Sequence, residues 1–151
     1  MKKQSAIVVA ILMLATVVVL PGCGGKETPE QRVQRLRYNH EIYPVAAKTL
    51  FNAEGEPTLL VDLQVANQGT EALENLTVLV RVLDAEGGEK ESRRVTLDMS
   101  GVRPGIGARV SATLPGVELT DEEEVMVELE TNLSVEDLHS LPEFAEVSSV
   151  S

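Results

Sequence analysis

The chain has one cysteine, two histidines, no tryptophan, two tyrosines and two phenylalanines in 151 residues. Each shortage removes a class of chemistry. A single cysteine forms no intramolecular disulfide, so the fold must stand on packing. Two distant histidines, His40 and His139, form no zinc-ligating cluster. Neither sits in a motif that supplies a base and an orienting group to a hydrolytic nucleophile. His40 reads as an edge residue ahead of the first strand, and His139 as a solvated residue near the end. With only Tyr38, Tyr43, Phe51 and Phe144 as aromatics, a sugar-binding cleft lacks its usual platforms, and the core must come from Val, Leu, Ile and Ala. Gly24-Gly25 and Gly87-Gly88 follow no strand-to-helix pattern that cradles phosphate. Basic residues are also scarce: 13 Lys and Arg stand against 24 Asp and Glu. That balance argues against nucleic acid or an anionic bilayer as the main partner, because both repel an acidic surface.

The first residues carry the strongest positive signal. Lys2 and Lys3 precede Ala6 to Leu20, fifteen residues that are all apolar except Thr16. Leu20-Pro21-Gly22-Cys23 then occupies the place of a cleavage site, as in a secretory signal peptide over residues 1–22. A spanning helix needs about 20 apolar residues, and Pro21-Gly22 ends this run early. The Leu20-to-Cys23 string resembles the lipobox of bacterial lipoproteins. The resemblance implies that Cys23 becomes the mature N-terminus, carries acyl chains and anchors the chain in a membrane. Two or more chains, at about 0.8 kcal/mol per buried CH₂, give stable anchoring where a single chain binds only reversibly. Gly24 stands where an aspartate retains Gram-negative lipoproteins in the inner membrane. The resemblance therefore implies an outer-membrane address facing the periplasm, or the outer face of the single membrane in a Gram-positive cell. The leader holds two of the bases and no acid, so the mature chain of 129 residues has a net charge of −13.

Residues 23–38 read as a lipidated tether. Thr28-Pro29-Glu30-Gln31 has the features of a helix start, but Val33 and Leu36 alone give it little apolar face. Lys26, Arg32, Arg35 and Arg37 set four bases against two acids, Glu27 and Glu30; they either lean on lipid head groups or belong to a solvated linker. Residues 39–151 read as one domain. Leu59, Val61, Leu63 and Val65 alternate with polar residues, as do Leu76, Val78, Val80 and Val82. Val95 to Met99, Ala108 to Leu114 and Val125 to Leu129 repeat the pattern. Each predicts a half-buried strand. Tyr43 to Phe51 make a weaker first strand, demoted to an edge by Pro44. Turn residues separate them at Asn52 to Pro57, Asn67 to Thr70, Asp84 to Gly88, Arg103-Pro104-Gly105 and Leu114-Pro115-Gly116. Six such segments predict two packed antiparallel sheets, an all-β sandwich, which the resemblance given below makes immunoglobulin-like. No helical segment looks long enough to cover a sheet. Ser134 to His139 predicts a short helical turn, and Phe144 to Val150 either a seventh strand or a frayed tail.

The strings Val65-Ala66-Asn67-Gln68-Gly69-Thr70, Leu76-Thr77-Val78 and Val80-Arg81-Val82-Leu83-Asp84, with Gly87 and Arg103-Pro104-Gly105, resemble small immunoglobulin-like envelope domains of the FxLYD and CARDB families. The resemblance covers residues 57–115. It implies an adhesive or scaffolding role, no catalytic residue and no cofactor. The expected function is a lipid-anchored, non-catalytic binding or assembly module for another envelope protein. The alternative is a carboxylate- or metal-dependent envelope enzyme.

Alternate loops of a sandwich share a pole. Asn52–Pro57, Asp84–Ser92 and Pro115–Glu124 should therefore meet, away from the lipid, with eleven acids and one base, Lys90. Asp84, Glu86, Asp121, Glu122, Glu123 and Glu124 are the candidate partner or cation surface. Calcium favours clustered carboxylates, but no fixed ligand spacing marks a site here.

Overall fold

Alternating β-branched residues build two antiparallel three-stranded sheets in the computed structural model, which describes residues 25–150. The expected leader, the cleavage site and Cys23 lie outside the described residues. The strands are β1 (His40–Phe51), β2 (Pro57–Asn67), β3 (Asn75–Leu83), β4 (Glu89–Asp98), β5 (Gly107–Pro115) and β6 (Glu124–Glu128). One sheet has the order β1-β2-β5 and the other β4-β3-β6. This division is that of an immunoglobulin-type sandwich without its final strand. The all-β sandwich read from the sequence is therefore the observed architecture.

Register follows the hydrophobic pattern. Shifting a strand by one residue would turn its apolar set to solvent. Leu59, Val61, Leu63 and Val65 of β2 face Leu76, Val78, Val80 and Val82 of β3 across the core, and all eight are buried. Leu97, Met99, Ala112 and Leu114 extend this core. The turns fall where glycine permits them: Gly87 and Gly116 have φ of +80° and +77°, a region that L side chains rarely enter.

Three short helices complete the domain: α1 (Pro29–Tyr38), α2 (Val135–His139) and α3 (Pro142–Ser148). They require two corrections. The expected tether contains α1, a helix packed on the sandwich. Its start is the capping box read from the sequence: Thr28 Oγ1 accepts from Gln31 N at 3.2 Å, and Gln31 Oε1 accepts from Thr28 N at 3.1 Å. Val33 and Leu36 suffice because both are fully buried in the core cluster, with Leu138, Leu141 and Val147 beside them. The folded domain thus begins at Thr28 rather than residue 39. Second, the segment from Phe144 is helix and no seventh strand. Pro142, at the first helical position, favours this outcome. The helices are individually too short to cover a sheet, but together they close one end of it.

Candidate functional site

The three acidic loops do share one pole. Gly116 N donates to Pro57 O at 2.8 Å, Arg93 Nη1 donates to Pro115 O at 2.8 Å, and Lys90 Nζ meets Glu123 Oε1 at 2.5 Å. The first contact ties the first and third loops. The other two tie β4 and its turn to the third. α1 sits at the opposite pole, where Arg32 and Arg35 bond Glu71 at 2.9 and 3.0 Å.

Proximity of loops does not gather their carboxylates. Asp84 Oδ1 accepts from Glu86 N at 3.1 Å and Gly88 N at 2.6 Å, so that side chain shapes its own hairpin. Glu123 is engaged by Lys90 and by Thr120 N at 3.0 Å. The Lys90 contact, then the Thr120 N–H, holds its carboxyl below the ordinary range. Glu86, Asp121, Glu122 and Glu124 point into solvent as separate exposed acids. Among the described residues, no three His, Cys, Asp or Glu side chains converge to hold a metal. The pole is an acidic surface without a calcium cage.

The bases assigned to lipid head groups are also placed differently. Arg35 makes a two-pronged contact with Glu27 at 2.7 and 2.9 Å, and Arg32 is held by Glu71. Glu27 and Glu71 have lowered carboxyl pKa values, chiefly through these arginine hydrogen bonds. Arg37 is buried against Glu143. Three of the four expected lipid contacts are therefore internal ion pairs, because α1 packs instead of extending.

The cluster around Arg37 is what the sequence reading missed. Glu143 Oε1 accepts from Thr77 N at 2.9 Å, and Oε2 accepts from Thr77 Oγ1 at 2.9 Å. Arg37 Nη1 bonds Glu143 and donates to Thr77 O at 3.0 Å, while Nη2 donates to Glu130 O at 3.0 Å. Glu146 accepts from Glu74 N at 2.9 Å and Asn75 N at 3.3 Å. α3 thereby lines the first part of β3 with carboxylates where a neighbouring strand would offer carbonyls. Close by, His40 is buried, not an open edge residue, and its Nδ1 lies 2.8 Å from Leu36 O. With that nitrogen donating, Nε2 is left without a partner. Burial, aided by the positive charge of Arg37, pushes this imidazole below its usual pKa, against the hydrogen bonds to the Leu36 and Arg37 backbone. His139 is half exposed, as expected, but it bonds Glu30 at 2.8 Å and stacks on Phe144.

The class these features define is an all-β antiparallel sandwich closed at one end by helices and acidic at the other. Neither a protein-family model nor a curated protein matches the chain. Among solved structures, IrmA from Escherichia coli is similar at 15% sequence identity and a TM-score of 0.40, covering 64% of this chain and 86% of that chain.

Proposed function

We propose that this chain is a lipid-anchored cell-envelope lipoprotein whose sandwich is a non-catalytic binding or assembly module for another envelope protein. The observation that carries the reading is the leader ending in Leu20-Pro21-Gly22-Cys23. The helix start at Thr28 follows five residues later. Fully extended, that connection spans at most about 18 Å. The lipid would therefore hold the helical pole near the bilayer and leave the acidic pole directed away from it. Strong acidity at that far end favours a basic partner surface, since bringing carboxylates together costs self-repulsion that an opposing positive surface relieves. No helix among the described residues is long and apolar enough to cross a membrane. In a Gram-negative envelope the address is the outer membrane, facing the periplasm. The FxLYD- or CARDB-like resemblance belongs to this proposal, and the strand order accords with it.

The test is acyl labelling of the parent and Cys23→Ser chains in cells, followed by cross-linking of the intact envelope. The parent should label and the variant should remain unprocessed. Equal labelling of both sinks the anchor. Loss of every cross-linked protein species at physiological expression sinks the binding module.

A further inference from the structure

Sheet edges are where sandwiches recruit extended chains, because they display unpaired N–H and C=O groups. The described residues present four such edges: β1, β5, β4 and β6. Three carry the devices that usually block pairing. β1 contains Pro44, a register break between Pro44 and Ala46, and the exposed Lys48. β4 carries Lys90, Arg93 and Arg94, and Arg93 reaches across to Pro115 O. β5 carries Arg109 and ends at Pro115. β6, Glu124-Val125-Met126-Val127-Glu128, has no proline, no base and an unbroken register against β3. Its guards are its five-residue length, two glutamates and β1 of the other sheet, which lies close by without pairing to it.

We propose that the free edge of β6 is a strand-addition site, and that it takes an extended segment of a partner protein with alternating apolar residues flanked by Lys or Arg. The proposal rests on the binding-module reading and names its surface and the chemistry of its partner.

The backbone sets the geometry. Thr77 N and O bond Glu143 and Arg37, and Arg37 also reaches Glu130 O, so these Thr77 groups face the β6 side of β3. In an antiparallel ladder the groups alternate sides. Leu79 and Arg81 therefore bond their partners Glu128 and Met126. Val125 and Val127 turn their N–H and C=O groups outward. Among the described residues β6 pairs with β3 alone.

Side chains set the chemistry. Val125 and Val127 stand opposite Val82 and Val80, which are 1% and 0% exposed, yet both β6 valines remain half-buried. An open depression of about 310 Å³ lies beside Val125, between it and Pro44, Val45 and Ala47 of β1, with Leu119, Glu123 and Glu124 at its rim. An incoming strand would place its apolar residues there. On the outer face, Glu124 and Glu128 flank Met126, which is 42% exposed. Glu128 is shared with Arg81 at 3.3 Å, so Glu124 sets most of the sign. A second copy fits poorly. Pairing β6 with itself about Met126 sets Glu124 against Glu128 of the second copy twice, and like charges directly opposite are destabilising. The chain's own C-terminal segment is held on β3 by Glu143 and Glu146. Opposite charge therefore points to a basic partner strand.

The probes are two capped heptapeptides, Thr-Lys-Val-Thr-Val-Lys-Thr and the same sequence with glutamates in place of the lysines, titrated into the purified full chain in detergent. Amide exchange is read residue by residue. The basic peptide should protect the Val125 and Val127 amides and leave β4 unchanged. The acidic peptide should not. Val125→Pro removes one outward donor without touching the β3 ladder, and should weaken the basic peptide by about tenfold. Glu124→Lys should reverse the charge preference, and stands as the test if the proline variant fails to fold. Equal protection by both peptides, protection at β1 or β4 instead, or self-association through β6 in sedimentation overturns the proposal. Such a failure with envelope cross-links intact leaves the binding module standing on another surface. Failure of both removes the module reading itself.

Discussion

Two stretches of the same sheet meet the same problem and resolve it in opposite ways. Along Glu74 to Thr77, β3 has no neighbouring strand on one side, and side chains from two helices fill the place. The outer edge of β6, a few residues away, also lacks a neighbour and is left open. The first solution costs desolvation of a guanidinium and a carboxylate. That is tolerable because both terminal nitrogens of Arg37 and both oxygens of Glu143 find partners: the pair satisfies Thr77 N, Thr77 O and Glu130 O together. The second leaves Val125 and Val127 half-buried, with no strand paired to their outer side among the described residues. The difference teaches that this chain can close an edge by side chains alone when the fold requires it. The open edge of β6 is thus a distinct feature rather than a shortage of means.

The comparison can be broken most severely at the closed end. Glu143→Ala strands Arg37 in a buried site, and should cost about 3–5 kcal/mol in urea unfolding. Replacing both partners, Arg37→Met with Glu143→Leu, should recover most of that loss, because no uncompensated charge remains. If the double variant is as unstable as the single one, the pair acts through its backbone bonds rather than its charges.

Core truncation sharpens the contrast along one strand pair. Leu76→Ala, at the covered end of β3, should cost about 2–5 kcal/mol. Val127→Ala, on the open edge, should cost about 1 kcal/mol or less, since half-burial forfeits much of the transfer energy. Similar costs at both positions would mean that the β6 edge is as well covered as the helical end.

The pH dependence of the closed end is the next effect in size. His40 is held neutral in the folded chain, with its pKa below the unfolded value of about 6.5. The unfolded chain therefore binds the extra proton first. The contribution is fully present above pH ~6.5 and is lost as pH falls through the lower folded pKa. Urea midpoints should drop between pH 6.5 and 5, and His40→Leu should flatten that slope. An unchanged slope in the variant would move the effect to other groups.

The smallest effect belongs to the acidic pole. Lys90→Gln breaks an ion pair whose lysine is half exposed and should lower the unfolding free energy only slightly, by about 1 kcal/mol or less. A clear drop would show that the Lys90–Glu123 contact organises the loop before β6.

Much of this architecture was legible because strand alternation is a local property. The runs from Leu59, Leu76 and Ala108 each declare one apolar face, and turn residues mark their ends. The capping box at Thr28 was legible for the same reason. What misled was the value placed on the helix behind it. Val33 and Leu36 look too few when counted alone, and their weight comes from Leu138, Leu141 and Val147, more than a hundred residues away. Arg37 read as one of four tether bases and Glu143 carried no signal, and nothing in their neighbourhoods declares the pair. The acidic loops were correctly placed at one pole by topology. Their individual carboxylates were not, since Asp84 turns to its own backbone and Glu123 to Lys90.

By itself the sequence determined the six strands, their inward faces and the helix cap, because each depends on residues within one turn or one hairpin. Only the tertiary structure decided that the supposed tether is part of the domain, that the C-terminal segment is a helix standing in for a strand, and which sheet edge stays open. Those outcomes depend on distant groups satisfying one another in a place without water, where an unpaired charge or N–H is too costly to leave.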